Sequence, residues 1–156
     1  MLKLKCASDL IKLGFTLICA GKQLHSERYK PHKSILDQKQ LDKIEQAVIG
    51  TYDGFTFYFV DGDSVRDIDI DFVAGGNPAR YLYVPENHIW IERLNDNKDA
   101  VDCLVHEYKE TKKMIDHGWT YDKAHDYANS VCNKIREKET IDGDVFGQFK
   151  KFIEKY

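Results

Sequence analysis

The chain has 156 residues, of which 42% are hydrophobic and 31% charged, and a formal net charge of -3. That balance suits a globular protein with one core and argues against a general nucleic-acid binder, so the groups Lys109, Lys112, Lys113 and Lys150, Lys151 read as solvated faces. The four cysteines, Cys6, Cys19, Cys103 and Cys132, form no CxxC pair, which sets aside a cysteine-rich zinc knuckle and fits a reducing cytoplasm.

The N-terminal stretch MLKLKCASDLIKLGFTLICAGK has early lysines and apolar residues, but Asp9 and Lys12 interrupt the run. It reads as part of the fold and not as a secretory leader, and no segment approaches the ~18 apolar residues of a membrane helix. SDLIKLGF is helix-like with Ser8 as its cap, FTLICAG is open to a strand reading, and the polar stretch from about Gly21 to Pro31 reads as loop. KSILDQKQLDKIEQAVIG places Ile35, Leu36, Leu41, Ile44, Ala47 and Val48 at helical spacing before Gly50, which predicts one amphipathic helix.

Strand character follows. GFTFYFVDG is aromatic and bounded by glycines, and VRDIDIDFV alternates Ile68, Ile70 and Phe72 with Asp67, Asp69 and Asp71. AGGNP reads as a turn, and ARYLYVP and HIWIERL as two further strands. The short connections predict an antiparallel sheet of about four strands. From Asn97 onward the pattern is helical: about 98–117 ending at Gly118, about 121–138 capped by Thr120, and about 144–154. The expected fold is therefore α+β in a single domain, 1–156, with a helical and loop region to residue 50, a sheet over 53–94 and helices over 97–156.

The stretch LVHEYKETKKMIDHGWTYDKAH, residues 104–125, opens with the first two letters of the zinc-protease signature HExxH, but Glu110 stands where the second histidine belongs. On a wheel of ~100° per residue, Ala100, Val101, Leu104, Tyr108, Thr111 and Ile115 form a core stripe, and Asp102, Lys109, Lys112, Lys113 and Asp116 a solvent stripe. A third arc collects Cys103, His106, Glu107, Glu110 and Met114. His106 and Glu110, at i and i+4, lie one above the other and suit two ligands of one ion. Glu107 sits about 100° round the helix, where it flanks such an ion as a general base does.

A catalytic zinc usually takes three protein ligands and a water. On the next helix His125 lies in the apolar stripe of Tyr121, Ala124, Ala128, Cys132 and Ile135. Across a short turn, Glu110 and His125 both fall ~7–9 Å from the connection and are nearly level. The same residues also suit an ordinary ion-paired helix, with Glu110 on Lys109 or Lys113, or a buried His125–Glu110 hydrogen bond without metal. His117, beside Gly118, reads as a cation at a helix end.

Pro85, Ile89-Trp90-Ile91, His106, Glu107, Glu110, Met114, Gly118, Tyr121, Ala124, His125 and Ala128 together resemble a family of small phage and prokaryotic zinc-metallopeptidase-like proteins, with a PxxxIWI strand, an HExxExxxM helix and a YxxAHxxA helix. The resemblance spans about residues 74–135. It implies zinc on His106, Glu110 and His125, Glu107 as the base, and a peptide or protein as substrate or partner. Members more often carry an acidic residue at the position of His88. With that zinc, metal-assisted hydrolysis is the expected chemistry, and IWIE is the candidate edge strand for an extended substrate. The competing expectation is a non-enzymatic phage-type inhibitor or accessory protein, in which the cluster is a structural metal site or a buried polar network.

Overall fold

The computed structural model describes residues 41–156; the helix, strand and loop expected before residue 41 lie outside them. The first strand, β1 (Gln46–Tyr52), corrects the helix expected to run to Gly50. Asp53 and Gly54 both take positive φ, 49° and 81°, and so form the two-residue turn that best matches strand twist. That turn pairs β1 antiparallel with β2 (Phe55–Val60), with a register shift at Ile49.

The chain then turns into a short helix, α1 (Gly62–Arg66). The alternation of VRDIDIDFV is not a strand: Ile70 is 81% exposed, while Val65 and Phe72 are buried. Asp61 takes hydrogen bonds from the Asp63 amide and the Ser64 hydroxyl, so local side-chain caps win over a two-residue period. ARYLYVP forms no named strand either. Asn77-Pro78 turns it, with Arg80 and Tyr81 amides both donating to the Asn77 carbonyl.

A two-residue strand, β3 (Gly75–Gly76), pairs antiparallel with β4 (His88–Glu92), and β4 runs parallel to β2. The sheet order is β1-β2-β4-β3. The sheet is thus mixed, because the 27-residue span between Val60 and His88 is long enough to cross over and return in the same direction. It also places β4 inside the sheet, so IWIE is not the edge strand.

Three helices follow: α2 (Asn97–His117), α3 (Tyr121–Lys138) and α4 (Val145–Lys155). Asp96 caps α2 at the Lys98 amide, and Gly118 ends it at φ 61°. Thr120 stands at the start of α3 without a side-chain cap bond.

The sheet is apolar on both faces. Phe55, Phe57, Ile89 and Ile91 meet Val101, Leu104, Val105, Tyr108, Val131, Ile135, Phe149 and Phe152 from the helices. On the other face Val60 and Trp90 meet Val65, Phe72, Tyr81, Tyr83 and Val84. The core stripe of α2 is buried except at Ile115, which is 53% exposed. The architecture is α+β, and among the described residues no helix is long and apolar enough to cross a membrane.

Candidate metal centre

The α2–α3 contact is antiparallel: Arg136 on the late part of α3 pairs with Asp102 on the early part of α2, while His125 near the start of α3 meets Glu110. Ala124 and Ala128 flank His125 and are fully buried, and their small side chains let the helices close. At that contact His106 Nε2 lies 3.0 Å from His125 Nδ1. His125 Nδ1 lies 2.9 Å from Glu110 Oε2, and His106 Nε2 lies 3.4 Å from the same oxygen.

These three atoms make a nearly regular triangle. A tetrahedral zinc with bonds of ~2.0–2.1 Å spaces its ligand atoms about 3.3 Å apart, close to the observed edges. Two imidazole nitrogens and a carboxylate oxygen match zinc in both type and number. The side chain of Glu110 is 3% exposed and that of His106 16%, but His125 is 38% exposed. The triangle therefore opens on the His125 side.

Glu107 and Glu110 are neighbours with opposite electrostatics. Burial raises the Glu107 carboxyl well above its usual range, and the charge of Glu110 adds to this, while Asn77 and Arg80 offset part of it. Burial also pushes Glu110 upward, but hydrogen bonds from His106 and His125 outweigh it and hold Glu110 ionised. His125 is raised by its bond to Glu110 against the opposing effect of burial. Such a split between adjacent carboxylates is how one site keeps a ligand and a proton acceptor apart.

The sequence reading brought His106, Glu107, Glu110 and His125 to this region, and the first, third and fourth form one group that could hold a metal ion. His88 is not in it; its ring packs on Tyr58 at 4.5 Å. Trp119 turns toward Lys113, Lys123 and Tyr127. Tyr121, expected as core, stacks on the His125 ring at 5.2 Å and 26°, and the Arg80 guanidinium lies over the Tyr121 ring at 4.7 Å.

Sequence reasoning missed what comes from the β3 side. Asn77 Nδ2 donates to Glu107 Oε2 at 2.9 Å and to Glu110 Oε1 at 2.8 Å. Its Oδ1 accepts from the Ala79 and Arg80 amides, each at 3.1 Å. A Cβ on Gly75 would lie 2.7 Å from Glu107 Oε1. The available signal was the pair Gly75-Gly76 before Asn77-Pro78, a mark of close backbone approach beyond a simple turn. Comparison of the chain with family models, curated proteins and solved structures found no match.

Proposed function

We propose that the protein is a zinc-dependent hydrolase of peptide or amide bonds, with His106, Glu110 and His125 as ligands and Glu107 as general base. The donor triangle carries this reading, since its edges of 2.9, 3.0 and 3.4 Å fit one tetrahedral ion. The motif resemblance supports it. Zinc, when bound, supplies Lewis-acid polarisation of water and of the substrate carbonyl.

The chain's own residues do the rest. Glu107 Oε2 is held by Asn77, which leaves Oε1 to take a proton from the attacking water. The water oxygen bonds to the carbonyl carbon, the carbon–nitrogen bond breaks, and Glu107 returns the proton to the departing amine. The open flank at His125 admits the substrate. A cytoplasmic setting belongs to the same proposal, as Cys103 and Cys132 are free thiols.

Metal analysis of untagged protein and a peptide-library digest read by mass spectrometry test it. About one zinc per chain is expected, with cleavage that Glu107→Gln lowers by ~10²–10⁴-fold while the zinc stays. A chain that carries no zinc and takes up none on addition sinks the reading. One observation favours a second reading: the 2.9 Å contact of His125 with Glu110 is also a sound hydrogen bond. A non-enzymatic module built on that bond shows no cleavage and no difference between wild type and Glu107→Gln in partner capture.

A further inference from the structure

We propose that Asn77 and Gly75 are positioning residues that sort the two carboxylates of the site, Asn77 fixing both and Gly75 fixing Glu107 alone; this rests on the metal reading above. Glu107 and Glu110 are three residues apart on α2 and therefore close neighbours. Two buried carboxylates so placed repel, and each needs hydrogen-bond donors. Asn77, 0% exposed, supplies one N–H to each.

The orientation of that amide is determined. Its oxygen accepts from two backbone N–H groups, so only the nitrogen end can face the carboxylates. The choice of a neutral donor also matters. A lysine here would satisfy both carboxylates with a charge that repels an incoming cation, whereas an amide leaves the negative charge of Glu110 for the ion. The four bonds use both donors of the amide and fix its plane, the kind of outer support that orients metal ligands.

Gly75 acts by having no side chain. Its backbone is pinned opposite Ile91 in the β3–β4 ladder. The Cγ, Cδ and Oε1 of Glu107 lie 2.7–2.9 Å from where a Cβ would stand. Added bulk at position 75 must therefore move the flexible Glu107 carboxylate, not the strand. The three atoms nearest such a Cβ all belong to Glu107, so Glu110 is expected to keep its place.

The test uses the full chain as wild type, Asn77→Ser and Gly75→Ala. Serine keeps an oxygen near the Ala79 and Arg80 amides but lacks the two donors. Three measurements are taken on each protein: zinc affinity by chelator competition, the visible spectrum of the cobalt-substituted site, and solvent exchange of the Asn77 side-chain amide by NMR. In wild type both Asn77 amide protons exchange slowly. Asn77→Ser weakens zinc by ~10–100-fold and alters the cobalt spectrum. Gly75→Ala keeps zinc affinity within about threefold, the 10–100-fold loss expected on removing an outer-shell partner being absent here, and speeds exchange of only one amide proton. A folded Asn77→Ser protein with wild-type affinity and spectrum overturns the role of Asn77, and fast exchange of both protons in wild type does so even if Asn77→Ser fails to fold. Unchanged exchange in Gly75→Ala overturns the role of Gly75. If wild type takes up neither zinc nor cobalt, the metal reading falls, and the amide exchange alone decides the clamp.

Discussion

Glu110 shows what helix periodicity can and cannot tell at the scale of one residue. Its place above His106 follows from a four-residue spacing, and its meeting with His125 from a short turn between two helices, so all three donors were legible in the sequence. Asn77 and Gly75 were not. No period links residues 75–77 to residue 107, and their approach depends on a crossover that only the folded sheet fixes. His88 illustrates a different consequence of burial. Its ring lies against Tyr58, and burial lowers its pKa below the ~6.5 of an unfolded histidine. Above ~6.5 the ring is neutral in both states and its contribution to stability is complete. As the pH falls the unfolded chain takes the proton first, so stability drops until the pH has passed the folded value. His88→Phe keeps an aromatic ring on Tyr58 and removes the titration. Urea unfolding at pH 7 and pH 5.5 should show a smaller loss for the variant than for wild type, and equal losses would discard this account.

At the scale of elements, the helices were readable because each carries several concordant signals. α2 has an apolar stripe and Gly118 at its end; α3 and α4 end within a residue of their expected limits. The strands were harder. Ile44, Ala47 and Val48 fit a helical spacing, yet Gln46–Tyr52 is extended. The Asp53-Gly54 turn and pairing to β2 decide it, and tertiary pairing overrides a weak local preference. Residues 67–72 alternate as a strand should, but among the described residues no strand pairs with them and they fold into turns. The hairpin can be tested at Gly54, whose φ of 81° suits glycine and strains any other residue. The same turn is tied to α2, because Tyr108 donates to Asp53 at 2.9 Å and Lys112 pairs with it at 3.0 Å. Gly54→Ala should cost about 1–2 kcal/mol in chemical denaturation. A variant as stable as wild type would show that the turn does not hold the left-handed conformation.

For the described region taken together, the site joins parts of the chain that are remote in sequence. α2 supplies two donors, α3 one, and the loop after β3 the amide that supports them. Unfolding separates all of these, so an ion held here binds the folded state and stabilises it by mass action. With free zinc at 100 times the dissociation constant the gain is about 2.7 kcal/mol, and at 1,000 times about 4.1 kcal/mol. For a chain of this size ~1 kcal/mol moves the melting midpoint by about 2–4 °C. Zinc should therefore raise the midpoint by ~5–11 °C over chelator-treated protein at the lower of those concentrations. Glu110→Gln keeps the shape of the side chain and removes its charge, so the shift should shrink to a small fraction. Glu107→Gln should keep most of it, because Glu107 flanks the donor triangle without belonging to it. Magnesium at the same concentration should do little, since two imidazole nitrogens are poor ligands for so hard an ion. Thermal melts of the three proteins with zinc, magnesium and chelator separate these outcomes. An equal shift in Glu110→Gln and wild type would place the ion elsewhere in the chain, and the donor triangle would then have to be read as a hydrogen-bonded network.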